Sequence, residues 1–349
     1  MRLLVSALEP SANIHLKELK KHLSSEVKFV GIFDKSLGEP IVDLSSSAVM
    51  GIVDALKKIR FFLDLKKKMA TIAKSCDKVL LMDSSGFNLP LAKELKNLYP
   101  NLEINYYILP QAWAWRRGRI KIIEKYCDNL YSILPFEKEY YTKKDKIQYV
   151  GHPLLDEIKE YKTSLVKSAK IAYMPGSRRS EIKALMPIFK ELSQNIGTNK
   201  EHILIIPTSF KDKDLEEIYG DIEGFSISYD THKSLYESEF AFICSGTATL
   251  EAAIIGTPFI LAYKAKKFDY FVGRKIFNIQ TIGLANIFFE KMKRDRIHLE
   301  LLQEDVNSKN LIKEYNQVNK ELFIQNANIL REYLKTGSSK TVAFLIENK

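Results

Sequence analysis

The sequence predicts an α/β protein made of two consecutive domains, each with a parallel sheet. Three observations predict it. Short apolar runs alternate with helical patterns, as expected when parallel strands are joined by crossover helices. The alternation restarts after Tyr161. The chain has 349 residues, enough for two domains of roughly 150 residues each. The first set of candidate strands is Leu3–Leu8, Val27–Phe33, Val79–Asp83, Ile104–Leu109, Leu130–Leu134 and Gln148–Gly151. The second set is Ile171–Met174, Ile203–Thr208, Phe225–Tyr229, Ala241–Cys244 and Phe259–Tyr263. The polar stretch Asp156–Lys170 marks the boundary, giving domains at 1–163 and 164–330. The tail from Leu311 reads as helical with a break at Gly337-Ser338-Ser339, so 331–349 forms a separate C-terminal helix.

Composition narrows the function classes. A chain that is 46% hydrophobic and 11% aromatic builds true cores. Its three cysteines, Cys76, Cys127 and Cys244, stand apart with no metal or redox spacing, which fits a reducing compartment. The first apolar run meets an acid at Glu9, too soon for a signal peptide. No stretch has the 18 or so uncharged apolar residues of a membrane span. The net charge of +10 fits an anionic partner: nucleic acid, an acidic membrane surface or phosphorylated substrates. A Lys-rich surface with no such partner is the plain alternative. No nucleic-acid-binding signature is apparent.

The motifs follow the predicted strands. After the first strand comes "ALEPSAN", Ala7 to Asn13, where α/β proteins often hold a phosphate on glycines. It has no glycine. It offers Glu9, Pro10 and a helix cap at Ser11 or Asn13, before a helical pattern near His15. In "LLMDSSGFNLP", Asp83 ends the third strand, where open α/β sheets place ligands, and is a candidate general base. Asn88 reads as the cap of the next helix. In "MPGSRRSE", Pro175-Gly176 turns the chain and Ser177 can cap a helix holding Glu181. The free N–H groups there, with Arg178, suit an anion; a plain strand–turn–helix junction is the alternative. In "CSGTATLEAAIIGTP", Ser245, Gly246 and Thr247 suit a phosphate and Glu251 the hydroxyls of a ribose. The same pattern would also serve close packing of a small-residue helix.

Two basic-aromatic stretches raise the question of a membrane. In "MGIVDALKKIRFFLDLKKKM", Ile52, Leu56, Ile59 and Leu63 form one stripe, read as the core face. Phe61, Phe62, Leu65 and Met69 form a second, interleaved with Lys66, Lys67 and Lys68, and these are the expected membrane contacts. "KAKKFDYFVGRKIF", Lys264 to Phe277, is of the same kind. "LPQAWAWRRGRI" holds both tryptophans, with at least one of Trp113 and Trp115 expected in the core. His152 reads as structural rather than catalytic.

In this order, the blocks "MGIVDALKKIR", "MDSSGFN", "AWAWRRGRIKII", "LPFEKEYY", "YVGHPLLDE", "MPGSRRSE", "SGTATLEAAIIGTPFILAY" and "LANIFF" resemble the lipid-A-disaccharide synthase family. The resemblance implies a GT-B fold, two Rossmann-like domains facing across a cleft, with the last helix returning to the first domain. It implies an inverting transfer from UDP-2,3-diacylglucosamine to 2,3-diacylglucosamine 1-phosphate, without metal or cofactor, by a peripheral protein on the cytoplasmic face of the inner membrane. Asp83 matches the family's proposed general base and Arg178 its functional arginine, with Glu9 retained in the opening turn. Gly176, Ser177, Ser245, Gly246, Thr247, Glu251 and Asn286 fall on the UDP side, and Ser11, Asn88, Trp115 and Arg116 on the acceptor and acyl side. The opening turn departs from the usual Gly-Glu-Ala-Ser-Gly-Asp, Gly86 stands for a second aspartate, and Ala285 for a proline. The nearest other reading is a different UDP-sugar GT-B enzyme, such as a lipid-linked N-acetylglucosaminyltransferase or a UDP-sugar epimerase.

Overall fold

A computed structural model describes residues 1–42, 55–115, 117–165, 167–264 and 281–348, with the side chains of 55–58 and 115 left aside. Arg116, the Trp115 side chain and nearly all of Lys264–Phe277 therefore lie outside the described residues.

The chain forms two compact units. Unit 1 comprises Met1–Glu157 and Leu334–Lys349, and unit 2 comprises Ile158–Tyr333. Unit 1 holds β1 (Arg2–Ala7), α1 (Pro10–Lys20), β2 (Lys28–Ile32), α2 (Ala55–Ala73), β3 (Lys78–Met82), α3 (Ser85–Leu98) and β4 (Glu103–Tyr107). It continues with α4 (Ala112–Trp115), α5 (Gly118–Tyr126), β5 (Asn129–Ser132), β6 (Ile147–Tyr149) and α6 (Leu154–Glu157). Unit 2 holds β7 (Lys170–Met174), α7 (Arg179–Ile196), β8 (Glu201–Ile205), α8 (Leu215–Tyr219), β9 (Phe225–Ser228), α9 (Thr231–Glu237) and β10 (Phe240–Ile243). Then come α10 (Thr247–Ile255), β11 (Phe259–Tyr263), α11 (Leu284–Lys291), β12 (Leu299–Leu302), α12 (Ser308–Tyr315) and α13 (Lys320–Leu334). The last helix, α14 (Ser338–Asn348), belongs to unit 1.

Each unit is built on one six-stranded sheet, β2-β1-β3-β4-β5-β6 and β12-β11-β10-β7-β8-β9. Every pairing is parallel. Central strands are buried on both faces, which is why they read as unbroken apolar runs such as Leu3-Leu4-Val5 and Leu80-Leu81-Met82. All eleven expected strands are present. The twelfth, β12, is short, half-exposed and interrupted by Glu300, so its apolar signal is weak.

The strand order fixes where a ligand fits. In unit 1 the sheet grows one way from β1 to β2 and the other way to β3, so the carboxyl ends of β1 and β3 flank a topological switch point. In unit 2 the same reversal lies between β7 and β10. Four of the motifs occupy these four strand ends: Glu9, Asp83, Met174–Arg178 and Cys244–Thr247.

The long basic helix α2 inverts the expected faces. Leu65 and Met69 are 2% and 0% exposed and pack into the sheet cluster with Ala70 and Ala73. Phe61 is half-buried against the same cluster. Ile59 and Leu63, expected inside, are 58% and 50% exposed, and Phe62 is 37% exposed. Leu65 and Met69 are thus core residues, not surface contacts. The inward stripe is the one that small alanines continue to the helix end, where α2 approaches the sheet closely. Lys66 pairs with Glu94 at 2.5 Å, while Lys67 and Lys68 are exposed.

Candidate functional site

In unit 1, β3 ends in an unusual turn. Asp83 and Ser84 both have left-handed backbones, with φ of 47° and 37°. Non-glycine residues rarely sit there, and the surroundings must hold them. The Tyr106 hydroxyl donates to the Asp83 carbonyl. The Asn88 amide donates to the carbonyls of Met82 and Asp83, both at 2.9 Å. Its own oxygen accepts from Ser6 Oγ at 2.6 Å. Asn88 is thus fully buried and committed on both sides. It neither caps α3 nor presents itself to an acceptor; it braces the Asp83 turn from beneath. The cap position belongs to Ser84.

The strand ends are joined through Glu9, which accepts from Ser84 Oγ at 3.0 Å. Glu9 also corrects the reading of the first turn, because it occupies the cap position and Pro10 opens α1. Ser11 lies half-buried inside the first turn and is not the cap. Asn13 ties the loop together by donating to Ala7 and Glu9 carbonyls and accepting from the Asp34 N–H at 2.7 Å. Burial raises the Asp83 carboxyl above the ordinary range; the Ser84 N–H pulls it down, Glu9 pushes it up and His15 pulls it down.

Beside this turn runs a groove of about 500 Å³. Glu9, Ser84 and Gly86 line its polar part, and Leu8, Ile59, Phe62, Leu63, Phe87 and Pro90 its apolar part, with Lys66 also on the wall. The outward stripe of α2 therefore faces space next to a carboxylate. Trp113 packs against Phe136 at 4.9 Å between ring centroids, as a core residue does. His152 is 4% exposed and burial pushes it down to about 3, so it is a neutral structural residue.

In unit 2, both switch-point turns use glycine. Gly176 (φ 101°) and Gly246 (φ 140°) take conformations closed to most residues. Each precedes a helix whose first N–H groups are unpaired within it, an arrangement suited to anions. Arg178, not Ser177, occupies the cap position of α7. Its N–H and its Nη1 reach Glu181 at 3.4 and 2.7 Å, and its side chain is otherwise 76% exposed. Ser177, Gly246 and Thr247 are exposed, and Gly176 and Ser245 half-exposed. Glu251 lies on α10 with its side chain 18% exposed, 3.8 Å from His232 Nε2.

Asn286 departs from expectation. It is fully buried: its oxygen accepts from the N–H groups of Ile297 and His298 at 3.0 and 3.2 Å. Its amide donates to the His298 carbonyl and to Glu300 at 2.9 and 2.8 Å. Asn286 is therefore a latch between α11 and β12, not a direct nucleotide contact. Sequence reasoning also missed His15, whose Nδ1 contacts Glu157 Oε1 across 142 positions. No local pattern marks such a pair. Among the described residues, no cluster of His, Cys, Asp or Glu is placed to hold a metal, and no helix is long and apolar enough to cross a membrane.

Two parallel-sheet units, each with ligand-capable turns at its switch point, define a GT-B α/β fold. Solved structures agree. A UDP-N-acetylglucosamine 2-epimerase from Neisseria meningitidis superposes with TM-score 0.63 at 11% identity, covering all of both chains. MurG from Acinetobacter baumannii does so with TM-score 0.60 at 13% identity, covering 100% of this chain and 99% of that one. The Lipid-A-disaccharide synthetase family model matches residues 3–342. The lipid-A-disaccharide synthase of Helicobacter pylori strain 26695 is 48% identical over 98% of this chain and 96% of its own. That of Campylobacter jejuni strain RM1221 is 44% identical over 98% of each. The chain belongs to the lipid-A-disaccharide synthetase family and is a glycosyltransferase.

Proposed function

We propose that the protein joins UDP-2,3-diacylglucosamine to 2,3-diacylglucosamine 1-phosphate, giving the β-1,6-linked disaccharide 1-phosphate and UDP with inversion. Asp83 takes the proton of the acceptor's 6-hydroxyl as that oxygen bonds to C1 of the donor. The bond from C1 to the diphosphate oxygen breaks with its electron pair, and UDP departs. Inversion follows from attack on the face opposite the leaving group, the geometry of inverting glycosidases. UDP leaves readily and needs no general acid. Arg178 and the N–H groups opening α7 and α10 steady the diphosphate as charge develops. Glu251 takes the ribose hydroxyls, and Ser245 and Thr247 bind beside the phosphates. Glu9 orients the Asp83 turn through Ser84 and lines the acceptor side.

One observation carries the reading: the braced, left-handed turn of Asp83 and Ser84 stands beside an apolar groove that Ser84 and Glu9 line, in a chain of this family. The groove takes an acyl chain of the acceptor while its sugar lies against Glu9 and Ser84. The test is purified enzyme with both diacyl sugars, followed by mass detection of the disaccharide phosphate and of free UDP. Asp83→Asn is expected to abolish turnover, by about a hundredfold or more, and to leave UDP binding by calorimetry unchanged. Near-normal turnover in Asp83→Asn would remove the base from this mechanism.

The same α2 surface supports peripheral attachment of the enzyme to the cytoplasmic face of the inner membrane. Exposed Ile59, Phe62 and Leu63 beside Lys67 and Lys68 combine apolar insertion with attraction to anionic lipid. Sedimentation with anionic vesicles checks this. Ile59→Ser with Leu63→Ser is expected to lower the bound fraction, and unchanged binding rejects this surface.

A further inference from the structure

The first turn of α3 meets two different neighbours. Toward α2, its residues Gly86, Phe87 and Pro90 line the apolar groove, with Ser84 at the cap. Toward α5, with which α3 also packs, Ser85 meets Arg119: the guanidinium Nη1 donates to Ser85 Oγ. Ser85 stands two positions after Asp83, so this contact fixes a cation at the same turn. Arg119 is half-buried near the start of α5, where Ile120 and Ile123, 6% and 0% exposed, seat the helix on the sheet cluster.

The neighbouring cations are engaged elsewhere. Lys66, on the groove wall, pairs with Glu94. Arg117 Nε reaches the Trp113 carbonyl at 3.5 Å, and its guanidinium lies 5.6 Å from the centre of the Tyr140 ring. Arg119 meets no carboxylate among the described residues, and Ser85 is its one hydrogen-bond partner among them. A guanidinium carries five N–H donors in a planar fork that matches the oxygens of a phosphate. The Ser85 bond uses one of them and holds the fork in place before a ligand arrives, which lowers the cost of binding. Ser85 Oγ accepts in that bond and keeps its own proton to donate. The N–H groups of Ser85 and Gly86 have no partner within α3, whose bonds to the Ser84 carbonyl begin at Phe87 and Asn88.

The turn therefore joins a cluster of donors for an oxyanion to a groove for an acyl chain. The acceptor of the proposed transfer carries both on one sugar, a phosphate at C1 and acyl groups at C2 and C3. We infer that Arg119, seated on Ser85, binds the 1-phosphate of the acceptor and selects acceptors that carry it. The inference rests on the acceptor proposed above. It adds a grip on the anomeric end of the sugar, which leaves the 6-hydroxyl for Asp83.

The test compares two acceptors in detergent micelles: 2,3-diacylglucosamine 1-phosphate and the same sugar without its phosphate. Arg119→Ala is expected to lower kcat/KM for the phosphorylated acceptor by about ten- to a hundredfold. For the phosphate-free acceptor, on which the wild type is already slow, the change should stay within about threefold. Arg119→Lys keeps the charge but loses the fork, so it should fall between wild type and Arg119→Ala. Ser85→Ala should show a smaller loss, again confined to the phosphorylated acceptor. UDP affinity by calorimetry and sedimentation with anionic vesicles should stay unchanged in all three variants. An equal loss on both acceptors overturns the inference, because a purely structural arginine would give that result. So does a wild type that uses both acceptors equally well, or a loss confined to vesicle binding, which would make Arg119 a contact for lipid headgroups. If Arg119→Ala does not fold, Arg119→Lys and Ser85→Ala carry the same comparison. A wild type that makes no disaccharide from either acceptor removes the proposed reaction itself. Disaccharide formed, with losses that ignore the phosphate, removes only the role of Arg119.

Discussion

The two units carry the same sheet but supply their carboxylates differently. In unit 2, acids are matched by donors. Glu181 accepts from the Arg178 N–H and guanidinium. Glu300 accepts from the N–H groups of Ile282 and Gly283 and from the Asn286 amide, at 2.8 to 3.0 Å. In unit 1, Glu124 and Asp156 are matched in the same way, but two acids are short of donors. Asp83 is raised by burial with one backbone N–H against it, and Glu137 has an oxygen with no partner among the described residues. The turns differ in the same sense. Unit 2 bends on glycines and leaves N–H groups open, as a diphosphate requires. Unit 1 bends on Asp83 and Ser84 themselves, so the turn delivers a side chain rather than a backbone. On the proposed mechanism, the donor-rich turns of unit 2 bind the diphosphate and the Asp83 turn keeps its base reactive.

The sharpest way to break this contrast is to give a unit 2 turn a side chain. A Cβ on Gly176 would stand 2.6 Å from Glu181 Oε2 and 3.2 Å from Cys244 Sγ, in a backbone at φ 101°. A Cβ on Gly246 meets nothing within 4 Å, though its φ is 140°. Both substitutions to alanine carry a backbone cost of about 1–2 kcal/mol. Only Gly176→Ala also displaces the Glu181 carboxylate that holds Arg178. Calorimetry with UDP is expected to show a loss of about tenfold or more for Gly176→Ala and a smaller loss for Gly246→Ala. Equal losses would mean that backbone strain alone matters and that the Glu181–Arg178 contact does not.

The same contrast explains what could be read in advance. Strands buried on both faces announce themselves, and so does an acid or a glycine at a strand's end. Asp83, Gly176 and Gly246 were therefore legible. Direction was not. Helix α2 has two apolar stripes, and periodicity gives their spacing without saying which one the sheet covers; Leu65 went inside and Leu63 stayed out. Asn88 and Asn286 look like turn or ligand residues because amides usually are. Each is instead drawn inside by backbone groups that need pairing, at the Met82–Asp83 strand end and at Ile297–His298, a demand that residue type does not reveal. The α1 cap at Glu9 was hidden because Ser11 and Asn13 are better caps by type, while Pro10 fixes the start. The His15–Glu157 contact spans five of the six strands of unit 1's sheet in sequence.

A smaller effect sharpens the comparison from the unit 1 side. Glu137 is 1% exposed, and Oε2 accepts from Ser132 Oγ at 2.6 Å while Oε1 has no partner. Burial pushes this carboxyl from 4.5 up to about 8, outweighing the Ser132 bond that pulls the other way. The folded state therefore holds the proton more tightly than the unfolded chain does. As pH rises past 4.5 the unfolded chain releases its proton first, so stability falls between about 4.5 and 8 and levels off above. Glu137→Gln removes the proton from the balance while keeping the shape. It is expected to flatten this decline and to gain about 1–3 kcal/mol at pH 8. Both tryptophans, Trp113 and Trp115, lie in unit 1, so their fluorescence during denaturant unfolding follows that unit alone. If wild type and Glu137→Gln lose stability in parallel from pH 5 to 8, the missing donor costs nothing and unit 1 is not donor-poor at this carboxyl. If only the wild type declines, Glu137 is a second unit 1 carboxyl, besides Asp83, that burial raises and too few donors hold down.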